Sequence, residues 1–532
     1  MKYKYAILYL SIILINTQAY SQTIGLLYHS NEATDGYTLF TPSSNNEVFL
    51  VNNCGEVVNQ WEFNEKPGLT AYILENGNLL RAGRNNLETR DWDNNIIWSF
   101  DMQAAGYSQH HDIEPLPNGN ILCILSRGYS RAEIITEGKD PNYIDASFKI
   151  DEIIELQPIG TNNATVVWKW EFMDHFIQDF DNTKLNYGTV ENHPELIDLN
   201  YNDLTSDIIH LNSIDYNQDL DQVMISARHM NEIYIIDHST TTTEAAGHTG
   251  GIYGKGGDLL YRWGNPEAYK QGNATDQKLF LQHDARWVTN GYSDEGKITV
   301  FNNGGIDGSF TNSSIHVLAP EIISGEYQID NLKFKPINFE WSWQGNILGT
   351  TVQEGRKSGT HALQNGNMMI CETSEGRISE IEKNGTLVWS YKNPTGVGTE
   401  IYNQNDTNVN SNNMFRGDKY PSDYIGFAGK DLTPIGIIEN QNSASENCIT
   451  LLNIDTTELN NIKVINPIIG NLINFNSTVE LDTIRIYDIN GRKISEFHNI
   501  NHNHIEENLE PSIYILELIK GNSTEYIKVV KN

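Results

Sequence analysis

Leu387-Val388-Trp389-Ser390-Tyr391 ends a unit that opens with the turn and strand Gln364-Asn365-Gly366-Asn367-Met368-Met369. Both pieces recur. Tryptophan strands stand at Val57-Val58-Asn59-Gln60-Trp61-Glu62-Phe63 and Ile96-Ile97-Trp98-Ser99-Phe100, then at Val166-Val167-Trp168-Lys169-Trp170. Leu260-Tyr261-Arg262-Trp263, Phe339-Glu340-Trp341-Ser342-Trp343 and the stretch ending at Tyr391 bring the count to six. The turn-and-strand piece alternates with them, at Glu75-Asn76-Gly77-Asn78-Leu79-Leu80 and Pro117-Asn118-Gly119-Asn120-Ile121-Leu122. Asn-Gly marks a tight hairpin because both residues tolerate positive φ. Looser copies are Asp221-Gln222-Val223-Met224-Ile225, and Asn290-Gly291 before Lys297-Ile298-Thr299-Val300.

Each unit reads as strand, Asn-Gly turn, strand, variable loop, tryptophan strand. Repeated short-strand units of this kind predict an all-β, six-bladed β-propeller rather than an open solenoid. Spacing runs from 37 residues (Trp61 to Trp98) to 95 (Trp168 to Trp263), so insertions are expected, grouped on one binding face. Gly36 to Phe63 lacks an inner strand, and the strands around Met414 to Gly426 lack a tryptophan strand. Closure of both into one blade is the expected solution, leaving no open edge between blades. Helical signals are confined to short stretches such as Glu267 to Lys278.

The ends of the chain read differently. Lys2 and Lys4 precede the apolar run Ala6 to Ile15, and Ala19-Tyr20-Ser21 supplies small residues two apart. That pattern predicts a cleaved signal peptide over residues 1–21, with a propeller over 22–435. No stretch predicts a stable membrane span. A polar linker follows over 436–460, and 461–532 reads as a small C-terminal β-sandwich. Its strands are Thr483-Ile484-Arg485-Ile486-Tyr487-Asp488, Ser512-Ile513-Tyr514-Ile515-Leu516-Glu517-Leu518 and Tyr526-Ile527-Lys528-Val529-Val530-Lys531, with the turn Asn490-Gly491.

The 532 residues carry a formal net charge of −33. Such a surface repels nucleic acid and anionic membranes, so no nucleic-acid partner is expected. An anionic substrate would need a local positive pocket. Of the four cysteines, Cys123 and Cys371 fall in apolar strands and read as buried thiols. An exported chain has room for a disulfide, but its pairing is not legible in the sequence.

Histidines recur at one phase of the repeat. His111, His210, His283 and His361 each stand at the start of the strand before an Asn-Gly turn or its looser equivalent. If that strand is the innermost, four imidazoles converge on one channel mouth. Adjacent residues on a strand face opposite ways, so Asp112 and Asp284 are expected to leave the channel. Three chemistries fit: a metal site, nucleophilic transfer through an imidazole, and plain ligand binding. For group transfer, Arg228 supplies a cationic donor, and Asn212 shares the face of His210.

Taken in order, these motifs resemble the bacterial aryl-sulfate sulfotransferases. The match is carried by His110-His111-Asp112 before Leu116-Pro117-Asn118-Gly119-Asn120, and by His210-Leu211-Asn212-Ser213-Ile214-Asp215-Tyr216. Ser226-Ala227-Arg228-His229, Arg262-Trp263-Gly264-Asn265-Pro266, Gln282-His283-Asp284-Ala285 and Asn413-Met414-Phe415-Arg416 continue it. The resemblance implies a small-molecule aryl sulfate donor, a phenolic acceptor and a ping-pong reaction through a sulfohistidine. It implies no cofactor and no metal. By motif, the nucleophile falls on His283, with His111, His210 and Arg228 beside it and Asn212 in the sulfuryl-binding pair. Thr360 and His361, in Ser358-Gly359-Thr360-His361, are read as substrate-binding. His111 rather than His110 is chosen because it stands seven residues before Asn118, as His283 does before Asn290.

The tail resembles the C-terminal sorting domains of type IX secretion substrates, through its Asn466-Pro467 opening, Ile486-Tyr487-Asp488-Ile489-Asn490-Gly491-Arg492 and its last lysine-valine run. That implies export, with the secretion machinery as a partner and the mature protein secreted or held at the cell surface. The rival class is a non-catalytic propeller binding sulfated or phenolic ligands. A hydrolase using water as acceptor is a further alternative, though no Cys-x-Pro-x-Arg sulfatase motif is present.

Overall fold

The computed structural model describes residues 22–142, 147–201 and 206–440, and in the C-terminal part 464, 468, 471–475, 480–488, 492–520 and 523–531. The expected signal peptide, most of the expected linker and the turn at 490–491 lie outside the described residues. The chain divides into two compact units, Met1–Ala444 and Ser445–Asn532.

The first unit is all-β and propeller-like. Among the described residues it holds six antiparallel sheets of four or five strands, in chain order, each beginning with an inner strand. Sheet one pairs Met414–Pro421 with Gly36–Pro42, Glu47–Asn52 and Val57–Glu62. This is the expected closure: Tyr37 lies opposite Tyr420, and Phe40 opposite Gly417. Sheet two is Pro67–Ile73, Leu79–Gly83, Asn86–Arg90 and Ile96–Asp101, and sheet three is Gln109–Pro115, Ile121–Ser130, Ser147–Ile159 and Asn163–Glu171. Sheet four is Leu211–Asn217, Gln222–Ala227, Glu232–Asp237 and Tyr261–Trp263, and sheet five is His283–Trp287, Ile298–Asn302, Ser314–Leu318 and Trp341–Trp343. Sheet six is Gly359–Ala362, Met368–Glu372, Arg377–Ile381 and Leu387–Lys392, with Gly25–His29 added outside. Each inner strand neighbours the next, and that of sheet six neighbours that of sheet one.

The recurring tryptophan has a physical reason. It sits on the fourth strand of its sheet, and its indole N–H donates to a backbone carbonyl of the next sheet, between that sheet's third and fourth strands or, for Trp98, at the start of the fourth. Trp61 reaches Asp91 O at 2.9 Å, Trp98 reaches Asn163 O at 2.9 Å and Trp170 reaches Gly257 O at 2.7 Å. Trp263 reaches Pro336 O at 2.6 Å, Trp341 reaches Lys383 O at 3.0 Å, and Trp389 of sheet six reaches Asn53 O of sheet one at 2.8 Å. Each indole thus buries a large apolar face between sheets while its one donor is satisfied. Trp389→Phe keeps the ring and removes the donor. We expect it to lower unfolding free energy by about 1 kcal/mol, and Trp389→Ala by about 3–5 kcal/mol, in urea titrations.

Helix is scarcer than the sequence suggests. Of Glu267 to Lys278 only the opening forms a turn, a 3-10 segment at Pro266–Tyr269. Lys270 then adopts φ 58° and ends it. Cys123 and Cys371 are buried free thiols, as expected, and Cys54 is disulfide-bonded. Gly436 and Asn440 bridge back to Val57 and Asn403, so the first residues beyond 435 pack on this unit. Among the described residues no helix is long and apolar enough to cross a membrane.

The second unit contains a four-stranded sheet of Lys493–Ile500, Leu481–Asp488, Ser512–Lys520 and Ser523–Lys531. A two-stranded sheet of Leu472–Asn474 and His504–Glu506 accompanies it. Ile473, Ile484, Ile486, Leu516 and Leu518 form its core.

Candidate functional site

The inner strands do not start in regular β conformation. His111 has φ 60°, His210 φ 56°, Asp284 φ 55° and Ser358 φ 74°. The ladder shifts register just inside these points, between Cys123 and Leu125, Leu211 and Ile214, and His283 and Arg286. A left-handed residue breaks the in-out alternation of the strand. That has two consequences. Imidazoles gather at the starts of the inner strands, and the aspartates beside them turn inward.

The gathered rings are His110, His111, His210 and His229. Ring centroids are 4.8 Å apart for His110–His111, 4.9 Å for His111–His210 and 4.7 Å for His210–His229. Their hydrogen bonds fix where the protons sit. His110 Nε2 faces Asp151 Oδ1 at 2.9 Å, while its Nδ1 faces His111 Nδ1 at 2.6 Å. Burial disfavours charge on His110, but Asp151 prevails and raises its pKa. His111 is held well below the usual histidine range by burial and then by His110 and the neighbouring histidines. One proton lies between the two Nδ1 atoms, and His110 is the more basic ring of the pair. His210 Nδ1 donates to Asp207 Oδ2 at 2.7 Å. His229 donates to Asp207 O and accepts from Arg228 through Nε2 at 2.7 Å.

His283 lies beside this group, buried, in electrostatic reach of His210 and Arg228. Its Nδ1 donates to Asn303 Oδ1 at 2.7 Å, with Leu281 O at 3.1 Å. Its Nε2 lone pair accepts the backbone N–H of Lys357 at 3.1 Å. Burial, foremost, pushes its pKa down to about 3. The unfolded chain takes a proton here below about pH 6.5, and the folded chain refuses it until about pH 3. This group therefore lowers stability as pH falls through that window, by about 1.4 kcal/mol per pH unit. His283→Asn should make the acid-side loss less steep by that amount in urea titrations at pH 6, 5 and 4.

Arg228 acts on His283, and Arg356 acts on both Arg228 and Lys357, so three cations neighbour one another in an otherwise acidic protein. Arg228 is lowered by burial and then by Arg356, and Lys357 by burial and then by Arg356. No ion pair to Arg356 or Lys357 occurs among the described residues. Asn212 is fully buried, and its side-chain N–H donates to Gln282 O at 2.7 Å, just before His283. Its Oδ1 has no hydrogen-bond partner.

Asp112 and Asp284 do not leave the channel, contrary to the strand-alternation reading. Both are buried and point inward, because the left-handed residues shift the alternation by one. Arg416 of sheet one lies between them, with Nη1 at 2.6 Å from Asp112 Oδ2 and Nε at 2.9 Å from Asp284 Oδ1. Its Nη2 donates to Asn212 O at 3.0 Å. Asp112 also accepts from Tyr72 Oη at 2.8 Å and Ile214 N at 3.2 Å, and Asp284 from Thr360 N at 2.9 Å. One charged layer thus touches all six sheets directly beneath the histidines.

Thr360 and His361 sit apart from the cluster. Seven residues before Asn365 stands Ser358, not His361, so His361 is three residues deeper. Its Nε2 accepts Lys419 N–H at 3.4 Å, and it lines a cavity of about 260 Å³ at the opposite ends of the inner strands. Tyr72, Glu114, Asp215, Arg286 and Trp287 share that cavity. Thr360 Oγ1 donates to Met369 O at 2.7 Å within its own sheet.

His229, Asn303, Asp207 and Lys357 were not read from sequence as site residues. The basic pair Arg356-Lys357 in so acidic a chain was the available signal. Asp207, His210 and His229 lie close enough together to hold an ion.

Residues 71–394 match the arylsulfotransferase (ASST) family. The chain belongs to the arylsulfotransferase family. The chain is therefore a sulfotransferase acting on small molecules. No curated protein matches the chain. Among solved structures it is similar to a protein of unknown function from Bacteroides caccae, at 14% identity over 67% of this chain and 94% of that one, TM-score 0.38. A streptogramin B lyase aligns at 12% identity over 71% and 88%, TM-score 0.34. The β-propeller domain of Myceliophteria thermophila Cps50 (Swd1) aligns at 9% identity over 70% and 90%, TM-score 0.37.

Proposed function

We propose that this arylsulfotransferase moves a sulfuryl group from a phenolic sulfate ester to a phenolic acceptor through a sulfohistidine at His283. The carrying observation is the locked tautomer of His283. Nδ1–H is committed to Asn303, so Nε2 presents a lone pair that stays unprotonated at working pH. The incoming sulfur takes the place of the Lys357 N–H contact. The new N–S bond forms as the S–O(aryl) bond breaks. Arg228, Arg356 and Lys357 offset the charge of the equatorial oxygens. The hydrogen-bonded His110–His111 pair supplies the proton for the departing aryl oxide. In the second half, His210 Nε2, backed by Asp207, takes the acceptor's proton, and solvent carries it back to the His110–His111 pair before the next cycle. The phenolate attacks sulfur, and His283 Nε2 departs with its lone pair restored.

The test is intact mass after mixing with an aryl sulfate, without acceptor. A gain of one sulfuryl group, located on His283 and discharged by added phenol, supports the reading. Donor turnover to free sulfate without phenol assigns the chain to hydrolysis. Ligand binding without an adduct assigns it to binding alone.

We propose further that the six sheets are the six blades of a closed propeller, and that the second unit is a β-sandwich serving as a type IX sorting tail. The cyclic neighbouring of inner strands and the six tryptophan contacts support the first reading. The second rests on the motifs of the tail and, for export, on the N-terminal pattern. Secretion of a reporter fused to residues 461–532 tests it.

A further inference from the structure

Away from the site, at the outer end of sheet three, a second histidine pair faces one carboxylate. His175 closes the 3-10 turn Phe172–His175 that follows the tryptophan strand of sheet three. His248 and Asp258 come from the glycine-rich loop between the third and fourth strands of sheet four. His175 Nδ1 lies 3.0 Å from Asp258 Oδ1, and His248 Nδ1 lies 2.8 Å from the same oxygen. His175 and Asp258 are buried, and the His248 side chain is 60% exposed.

The proton count on His175 is the telling feature. Its Nε2 sits 2.8 Å from the carbonyl of Ala245, an acceptor only, so Nε2 carries the hydrogen. A neutral ring then turns a bare Nδ1 lone pair toward a carboxylate oxygen. That pairing calls for a positive charge between the two atoms, either a second proton on the ring or a metal ion. A metal-binding histidine has this arrangement, with its far N–H held by a backbone carbonyl. The surroundings fix the ring in that pose. Trp170 stacks on it with centroids 5.0 Å apart and donates to Gly257 O. A Cβ on Gly257 would stand 2.6 Å from His175 Nε2, so glycine is required where the loop passes the ring.

We propose that His175 Nδ1, His248 Nδ1 and Asp258 Oδ1 form a binding site for a first-row divalent cation, zinc foremost. Two imidazoles and one carboxylate select zinc over calcium or magnesium, which prefer all-oxygen shells. The three ligand atoms lie within 4.8 Å of one another, so small outward shifts open room for the ion. The exposed side of His248 is the entry path. Solvent reaching the exposed side of His248 supplies the remaining ligand positions as water. The ion would clasp the end of sheet three to the loop of sheet four, and it takes no part in the transfer chemistry.

The experiment uses the full, tag-free chain, stripped by a chelator and titrated with zinc chloride by calorimetry and native mass spectrometry. One equivalent should bind to the unmodified chain and to His229→Ala, which breaks the other ion-capable cluster. His248→Ala, at an exposed position, should weaken that equivalent at least about tenfold, since even lost outer-shell contacts cost that much. Asp258→Asn should do the same. Cobalt in place of zinc should give the visible bands of a four-coordinate site in the unmodified chain and lose them in His248→Ala. No zinc bound by the unmodified chain, or an equivalent that survives both His248→Ala and Asp258→Asn, overturns the proposal.

Discussion

His283→Ala should abolish the sulfuryl adduct and lower transfer from an aryl sulfate to phenol by about 10⁴-fold or more, the scale on which removing a covalent nucleophile acts. The substituted chain should stay folded, because the side chain makes only local contacts: Asn303, Leu281 and the Lys357 N–H. Magnitude alone does not separate a nucleophile from a group that merely holds the sulfuryl oxygens. Loss of one oxyanion donor typically costs about 10²–10³-fold. The separation comes from the adduct. If His283 is the nucleophile, no other residue gains the sulfuryl group in His283→Ala, and the pre-steady-state release of phenol disappears. Replacing Arg228, by contrast, should slow adduct formation without moving its position. An adduct on His111 or His210 in the unmodified chain would reassign the nucleophile.

The neighbouring tautomers sharpen that expectation. His283 keeps a bare Nε2 because Asn303 and Leu281 O hold its Nδ1–H, His210 gives its Nδ1 to Asp207, and His110 and His111 share one proton. The site thus sets three different imidazole environments side by side. Such a division follows from environment rather than residue type, since all four are imidazoles.

Much of this was readable from residues alone. The tryptophan strands were recognised as a repeat, although their reason, an indole N–H reaching the next sheet, is a contact between units far apart in sequence. Closure of Gly36–Pro42 against Met414–Pro421 followed from two incomplete units that needed each other. The histidine phase was legible for His111, His210 and His283, each seven residues before an asparagine. It failed for His361, where the interval is four, and those three residues carry the side chain to the far cavity. Alternation misplaced Asp112 and Asp284, because positive φ at a histidine or aspartate has no strong sequence mark as it does at glycine. His110 and His229 lay next to residues already chosen, and only their ring contacts reveal them as part of the group. Arg416 stood in a quoted motif, but nothing local told that its guanidinium would sit on the ring axis.

That guanidinium carries the second large effect. Arg416→Ala should cost about 3–5 kcal/mol in the unfolding of the first unit, the range for breaking a buried ion pair from one side. All ten tryptophans lie between Trp61 and Trp389, within Met1–Ala444, so tryptophan fluorescence in urea reads this unit alone. The physical loss is not the arginine's own packing. With it gone, Asp112 and Asp284 remain buried without the cation that offsets both, and Asn212 O loses its donor. Arg286 still serves Asp284 but does not reach Asp112. Arg416→Lys keeps the charge but not the three-pronged geometry, so it should recover only part of the stability. Combining Arg416→Met with Asp112→Asn and Asp284→Asn removes both stranded charges at nearly constant volume. If the penalty is electrostatic, that triple variant should be more stable than Arg416→Met alone. If the triple is no better, the layer holds the sheets through shape, and charge is not what makes Arg416 necessary.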